Sequence, residues 1–254
     1  MPRAAKSTSQ PSISREMLPP TKDRLIVALD VPQADAALSL VERLDGACRW
    51  FKVGLELYLA AGEAIVTELR RRGLSVFLDL KFHDIPNTVA AAVRTAERLG
   101  VGMLTVHAGG GPAMLRAAAE AAGESAAAPL LLAVTVLTSM DSAELSSIGI
   151  EAPPIVQAQR LAKMASACGI HGYVCSAQEA AALRSGLGRQ AVLVTPGIRP
   201  HGEDTGDQKR VTTPADAIDA GADYLVVGRP ITRAADPAAA ARAILSEIEA
   251  ASSL

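Results

Sequence analysis

Residues 75–88, with the sequence SVFLDLKFHDIPNT, lead from an apolar strand into a turn through a dense set of charges. Side chains two residues apart on a strand point the same way, so we expect Asp79 and Lys81 to share one face. Asp84 lies beyond the strand, where the chain must turn before Pro86. Charges beside such apolar sequence are costly to desolvate unless they pair or take part in chemistry. The segment therefore indicates either an ion pair at a loop entrance or a set of catalytic groups.

On both sides of this segment, short β-branched runs alternate with alanine-rich helical patterns. Strands are predicted at 24–30, 50–55, 75–81, 103–107, 130–137, 172–176, 191–196 and 224–228. Helices are predicted at 34–44, 63–72, 88–99, 112–122, 142–147, 155–168, 177–185, 214–220 and 237–250. This rhythm predicts an α/β fold, a closed (β/α)8 TIM barrel in a single domain. A doubly wound open sheet is the alternative, but residues 28–32 (ALDVP) contain no glycine-rich dinucleotide loop.

The predicted barrel spans residues 23–254, and residues 1–22 form a predicted disordered tail. The first twenty residues are rich in Ser, Pro and Ala, a composition typical of disorder. An organelle transit peptide is a weaker alternative because the segment has no clear amphipathic helix. Two connections are longer than usual, at 138–154 and 197–213. Glycines and mixed charges in the second connection predict a mobile lid at the barrel mouth.

Composition excludes several classes of partner. The chain has 254 residues, 49% of them apolar, and a net charge of −2, which offers no electrostatic footprint for nucleic acid or an anionic membrane. No apolar run approaches the length of a bilayer span, and no secretory signal is evident. The three cysteines lack metal-ligand spacing and indicate free thiols in a reducing compartment. We therefore expect a cytoplasmic protein that binds neither nucleic acid nor membrane.

The predicted strand ends carry the groups from which a site could be built. In (β/α)8 barrels the site lies at the carboxyl ends of the strands, and phosphate commonly binds after strands seven and eight. Arg199, Gly228 and Arg229 follow those strands here, and glycine beside arginine suits close approach of an anion. Asp30 ends the first strand, either as a helix cap or as an acceptor for sugar hydroxyls. Lys52 is expected to face inward, because helices cover the outer face of a parallel barrel.

The sequence also resembles a known protein family. The most specific element is Asp79-x-Lys81-x-x-Asp84-Ile85-Pro86-Asn87-Thr88. Further segments match in the same order: Ala28–Asp30, Phe51–Gly54, Thr105–Ala108, Val136–Ser139, Cys175–Ala180, Thr195–Arg199, Asp207–Gln208 and Val227–Arg229. From residue 23 onward the chain resembles the bacterial-type orotidine 5'-phosphate decarboxylase family.

That resemblance implies decarboxylation of orotidine 5'-monophosphate to UMP and CO2 in pyrimidine biosynthesis, without a cofactor and without a metal. It implies that Lys81 protonates C6 within a Lys-Asp-Lys-Asp network formed by Lys52, Asp79, Lys81 and Asp84. Asp79 would face the departing carboxylate. A homodimer is also implied, with Asp84 and Thr88 reaching across the interface into the neighbouring subunit's site.

The remaining roles concern substrate binding and likewise follow only from the resemblance. Asp30 and Lys52 would contact the ribose, and Thr138 would contact the pyrimidine. Gln208 would close from the lid onto base and phosphate. Arg199, Gly228 and Arg229 would form the phosphate end, with Arg229 as the principal ligand.

Two rival functions stay open at the level of sequence. Related barrels use a similar Asp-x-Lys-x-x-Asp element on sugar phosphates with magnesium, as in hexulose-phosphate synthase or keto-gulonate-phosphate decarboxylase. A non-catalytic nucleotide-binding module on the same scaffold is the other rival, although a binder has no need for a lysine between two carboxylates.

Overall fold

The computed structural model describes residues 19–123, 125, 127–200 and 212–252. Eight parallel strands close into a barrel in sequence order, and β1 pairs with β8. The strands are β1 (Leu25–Ala28), β2 (Trp50–Gly54), β3 (Ser75–Phe82), β4 (Met103–His107), β5 (Leu130–Val134), β6 (Gly172–Val174), β7 (Val192–Thr195) and β8 (Tyr224–Val227). The predicted (β/α)8 barrel is confirmed, and the open doubly wound sheet is excluded because both edges of such a sheet are paired here.

Helices surround the barrel. They are α1 (Ala34–Arg43), α2 (Leu55–Ala61), α3 (Glu63–Arg71), α4 (Pro86–Arg98), α5 (Gly111–Gly123), α6 (Ser142–Ser147), α7 (Pro154–Ala167), α8 (Ala177–Leu187), α9 (Pro214–Asp219), α10 (Arg229–Thr232) and α11 (Pro237–Ser252). Short 3-10 turns lie at Thr21–Asp23 and Ala108–Gly110. Sequence reasoning missed α2, which follows β2 with no intervening turn residue, and it did not delimit α10.

Alternation along each strand divides the apolar residues into two layers. Side chains such as Leu25 and Val27 face outward and join the large cluster between barrel and helices. Their neighbours face inward, and these form a second buried cluster: Ile26, Ala28, Phe77, Met103, Leu132, Val192, Val194, Tyr224 and Val226. Side chains therefore fill the lower part of the barrel, and a cavity opens at its carboxyl-terminal end.

A buried ion pair closes the amino-terminal end of the barrel. Arg184 Nη2 lies 2.6 Å from Asp223 Oδ2, which also accepts a hydrogen bond from the backbone N–H of Leu193 at 2.8 Å. The guanidinium of Arg24 donates to the carbonyl oxygens of Ala222 and Asp223. We call Arg24, Arg184 and Asp223 the basal cluster. These contacts tie β1, β7 and β8 together where the barrel closes.

The boundaries differ from the predicted ones chiefly at strand ends. Strand β5 was predicted over 130–137 but ends at Val134, the last residue that pairs with β6. Residues 1–18 of the predicted tail lie outside the described residues, so its disorder and the boundary at residue 23 stay predictions. Within the described ranges, no helix combines the length and the apolar character that a bilayer span requires.

Candidate active site

A cavity of about 550 Å³ opens at the carboxyl ends of the strands. Five basic side chains and two carboxylates line it: Lys52, Lys81, Arg199, Arg229, Arg233, Asp30 and Asp79. Lys52, Asp79 and Lys81 lie on strands, and the other four groups lie in the segments that follow the strand ends, as expected for a (β/α)8 barrel. The excess of positive charge suits an anionic small molecule.

Four side chains in this cavity form a chain of alternating charge. Lys52 Nζ lies 2.8 Å from Asp30 Oδ1 and 3.6 Å from Asp79 Oδ2, while Lys81 Nζ lies 2.8 Å from Asp79 Oδ1. Asp79 and Lys52 are nearly buried, with side-chain exposures of 12% and 11%, whereas Lys81 retains 33% and Asp30 58%. The inward orientation predicted for Lys52, Asp79 and Lys81 is therefore observed. Asp30 binds Lys52 rather than capping a helix, because Gln33 occupies the cap of α1.

A glycine, Gly54, leaves space for the side chains of this charge chain. Gly54 lies two residues after Lys52 on β2, at the next inward position. A Cβ at residue 54 would lie 2.9 Å from Lys52 Nζ and 3.3 Å from Asp30 Oδ1. Any larger residue would therefore push this ion pair apart.

Lys81 has an unusual backbone. Its φ is +51°, a left-handed value that residues with a Cβ rarely adopt. The pairing of β3 with β4 shifts register between Leu78 and Phe82, so this stretch of β3 bulges. The backbone N–H of Lys81 donates to the hydroxyl of Thr105 on β4 at 2.8 Å, and that hydroxyl donates to Asp79 Oδ1 at 3.1 Å. The bulge turns the Lys81 side chain into the cavity.

Two histidine rings stack beside the bulge. The rings of His83 and His107 are parallel within 8°, with centroids 5.1 Å apart. Nδ1 of His107 accepts a hydrogen bond from the N–H of Gly109, which requires an unprotonated nitrogen. Burial is the main cause that lowers the pKa of His107, and the nearby His83 and Lys81 lower it further. We therefore assign a neutral imidazole to His107, which adds no charge to the site.

The predicted residues Asp84 and Thr88 lie outside the cavity of their own chain. Both are exposed, and Asp84 Oδ1 accepts a hydrogen bond from the N–H of Ile85 at 2.7 Å. The charge chain that the described residues form within one subunit thus runs from Asp30 to Lys81 and does not extend to Asp84.

The predicted phosphate ligands line the same cavity, after the ends of β7 and β8. Arg199, Gly228 and Arg229 line it, and Arg199 is 9% exposed with Nη1 donating to the carbonyl of Ile198. Gly197 has a φ of +78°, which glycine adopts without strain. Thr138 lines the side wall. Gln208 lies outside the described residues, so its position stays a prediction.

Some residues in or beside the cavity were given no role in the site from sequence. Arg233 stands at the mouth, one helical turn after Arg229, and that spacing is a signal that could have identified it. Thr105 is a fully buried polar residue at an inward position of β4, a signal that was visible in the apolar run MLTVH. Cys175 also lines the cavity, and burial raises the pKa of its thiol to about 12, so it is not a nucleophile near neutral pH.

Comparisons with known proteins agree with this geometry. Residues 23–244 match the model of the Orotidine 5'-phosphate decarboxylase / HUMPS family. The chain is 56% identical over 234 residues to the orotidine 5'-phosphate decarboxylase of Moorella thermoacetica, covering 90% of this chain and 93% of that protein. It is 54% identical over 232 residues to the enzyme of that name from Halorhodospira halophila, covering 91% and 98%.

A solved structure agrees as well. The crystal structure of orotidine 5'-phosphate decarboxylase from Lactobacillus acidophilus superposes with a TM-score of 0.78 at 38% identity, covering 89% of this chain and 99% of that one. The fold, the charge chain and the sequence matches converge, and the resemblance found in the sequence is confirmed: this chain belongs to the Orotidine 5'-phosphate decarboxylase / HUMPS family.

Proposed function

We propose that this enzyme, a carboxy-lyase of pyrimidine biosynthesis, converts orotidine 5'-monophosphate to UMP and CO2 without a cofactor or metal. The observation that carries the proposal is the alternating chain of Asp30, Lys52, Asp79 and Lys81 at the open end of the barrel. This arrangement fixes an ammonium group at the cavity surface, 2.8 Å from the carboxylate of Asp79.

The chemistry of the reaction calls for such a group. When the bond between C6 and the carboxylate breaks, CO2 leaves and the electron pair stays on C6 in the plane of the ring, where the π system cannot delocalise it. Lys81 Nζ stabilises that developing charge and then transfers its proton to C6, forming the C–H bond of UMP. The lysine is left neutral and regains its proton from solvent, so atoms and charge balance.

Asp79 has two roles in this mechanism. Its Oδ1 holds Lys81 at 2.8 Å, and its Oδ2 lies 3.6 Å from Lys52. The carboxylate faces the departing substrate carboxylate, and the repulsion between them falls as neutral CO2 forms. The larger contribution comes from preorganised charge, since an arrangement fixed by folding needs no reorganisation during the reaction.

Binding energy from the phosphate end of the substrate also contributes to catalysis. Enzymes lower barriers by about 8–23 kcal/mol, more than one lysine supplies. Arg199, Gly228 and Arg229 bind the phosphate, with Arg229 as principal ligand, and Gln208 closes over base and phosphate. Those contacts are remote from the breaking bond, so their energy organises the site. Asp30 and Lys52 contact the ribose, and Thr138 the pyrimidine.

We further propose that the enzyme is a cytoplasmic homodimer in which Asp84 and Thr88 complete the partner's site, adding the second carboxylate beside Lys81. Their exposure within one chain supports this arrangement. Large apolar side chains are also exposed: Ile85, next to Asp84, is 66% exposed, and Leu55 and Leu59 on α2 are 54% and 82% exposed. Apolar surface of this kind is typical of a subunit interface.

Mixing two inactive variants tests the shared site. In a hybrid dimer of Lys81→Ala and Asp84→Asn subunits, one site carries both changes and the other carries neither. Random assembly should restore about a quarter of wild-type activity, because half the dimers are hybrids with one intact site. If the mixture stays inactive after subunit exchange, Asp84 acts within its own chain and the proposed interface is wrong.

The direct test of function is a decarboxylase assay on purified protein. We expect orotidine 5'-monophosphate to lose its ultraviolet signal at the same rate with and without excess EDTA. Loss of activity in EDTA, restored by magnesium, would instead favour the sugar-phosphate enzymes of the same family. Tight binding of UMP without turnover would identify a nucleotide-binding module.

A further inference from the structure

The bulge in β3 gives Lys81 a conformation that its own sequence does not favour. Leu78 pairs with Leu104 and Phe82 pairs with Val106, so four steps along β3 match two steps along β4. Lys81 lies inside this irregular stretch, where its left-handed φ of +51° is unfavourable for a residue with a Cβ. A neighbouring group must hold the backbone there.

Thr105 provides that contact. Its side chain is fully buried at an inward position of β4. Oγ1 accepts the backbone N–H of Lys81 at 2.8 Å and donates to Asp79 Oδ1 at 3.1 Å. A hydroxyl has one proton and two lone pairs, so both bonds form together. The same Oδ1 binds Lys81 Nζ at 2.8 Å, which closes a ring of contacts through Thr105, Asp79 and Lys81.

We propose that Thr105 is a positioning residue for the reaction: its hydroxyl fixes the backbone of Lys81 and the orientation of the Asp79 carboxylate. This inference rests on the proposed function for its effect on turnover, but its structural part is independent of it. Without the hydroxyl, the N–H of Lys81 loses its acceptor, and the chain relaxes toward an extended φ. Such a change moves the ammonium group relative to the substrate, and small displacements of a reacting group slow catalysis strongly.

Paired variants separate the hydroxyl from packing. Thr105→Val keeps the shape and removes the hydroxyl, and we expect kcat to fall by about 10- to 100-fold while the KM for substrate changes little. Thr105→Ser keeps the hydroxyl and removes a methyl group, so kcat should stay within about threefold of wild type. Should Thr105→Val not fold, Thr105→Cys replaces it, with a kcat expected below that of Thr105→Ser.

Thr135→Val is the matched control. Thr135 is also buried, and its hydroxyl donates to the carbonyl of Val174 at 3.0 Å, away from the charge chain. This variant should melt at a lower temperature yet keep the wild-type kcat. An equal loss of kcat in Thr135→Val, a wild-type kcat in Thr105→Val, or an equal loss in Thr105→Ser would each overturn the proposal.

A crystal structure of the Thr105→Val protein tests the inference without reference to activity. We expect Lys81 to leave the left-handed region and its Nζ to move away from Asp79. A φ that stays near the wild-type value would overturn the role of Thr105 even if the enzyme acts on another substrate. Failure of the wild-type protein to decarboxylate orotidine 5'-monophosphate would overturn the proposed function and leave this structural result standing.

Discussion

Buried charges occur at both ends of the barrel, but their surroundings differ. In the basal cluster, Asp223 and Arg184 bind each other and the backbone of neighbouring strands, and Asp223 is only 5% exposed. At the opposite end, Asp79 binds Lys81 and Thr105, while Lys81 keeps a third of its side chain exposed to the cavity. One set of charges joins strands, and the other presents an ammonium group to the cavity.

The difference separates stability from activity. A buried ion pair that is broken on one side leaves an uncompensated charge, which destabilises the fold. Removal of a charge that faces a cavity destabilises the fold less, but it removes the electrostatic stabilisation that the charge gives to the reaction. The following changes test this separation.

Lys81→Ala removes the ammonium group at the carboxyl-terminal end of the barrel and should have the largest effect on activity. We expect kcat to fall by on the order of 10⁴-fold or more, since the change removes both a fixed positive charge and the proposed proton donor. UMP should still bind, as measured by calorimetry, because the proposed phosphate ligands Arg199 and Arg229 are unchanged. Lys163→Ala, at an exposed position on α7, is the control and should change neither quantity. Near-normal turnover in Lys81→Ala would mean that another group donates the proton.

The basal cluster should show the opposite response. Asp223→Asn is expected to lower the free energy of unfolding by about 3–5 kcal/mol, because Arg184 stays buried without its anion. The kcat of the folded protein at 25 °C should be unchanged. Asp219→Asn, at an exposed position on α9, provides a control with the wild-type melting temperature. A loss of kcat in Asp223→Asn without a loss of thermal stability would contradict the separation.

A change at Gly54, which leaves space for the charge chain, should have a smaller effect on activity than the loss of Lys81. Gly54→Ala places a methyl group 2.9 Å from Lys52 Nζ, so the contact between Lys52 and Asp30 must shift. We expect kcat/KM to fall by about 10- to 100-fold. Gly186→Ala in α8 meets open space and should leave kcat/KM at the wild-type value. Equal activity of the two variants would show that the position of Lys52 is not critical.

Charges on the outer surface should matter least. Glu68 accepts hydrogen bonds from Arg71 and Arg72 on α3, and these contacts lower its pKa to about 2. A lowered carboxyl pKa contributes stability above the ordinary value of 4.5 and loses it as the pH falls toward 2. Glu68→Gln should therefore shift the melting temperature at pH 7 by only about 2 °C or less, because exposed pairs are screened. A shift that persisted below pH 2 or in 1 M salt would not be electrostatic.

Much of the fold could be predicted from sequence because its patterns are local. Each strand was identified from an apolar, β-branched run, and the helix at 142–147 was predicted with its observed bounds. Helix α2 was missed because seven residues directly after β2 look like a connection. Strand β5 was overextended because the apolar sequence continues past Val134, whereas pairing with β6 decides where the strand ends.

Some features of the site could likewise be predicted from sequence, and others could not. The shared face of Asp79 and Lys81 was predicted from the alternation of side chains along a strand, and the inward position of Lys52 from the helices that cover the outer face of a parallel barrel. The left-handed backbone of Lys81 could not be predicted, since a contact with Thr105, 24 residues away, maintains it. The distance of Asp84 from the cavity of its own chain also depends on the turn after β3, which no residue pattern specified.

Chemical replacement of the lysine tests the central claim most directly. In a Lys81→Cys protein, alkylation with bromoethylamine attaches an ammonium group at nearly the length of lysine, and the native Cys48, Cys168 and Cys175 are buried. We predict that the unmodified variant is inactive and that alkylation raises its kcat by about 100-fold or more. If mass spectrometry shows complete modification at residue 81 and turnover stays at the unmodified level, an ammonium group at this position is not what drives the reaction.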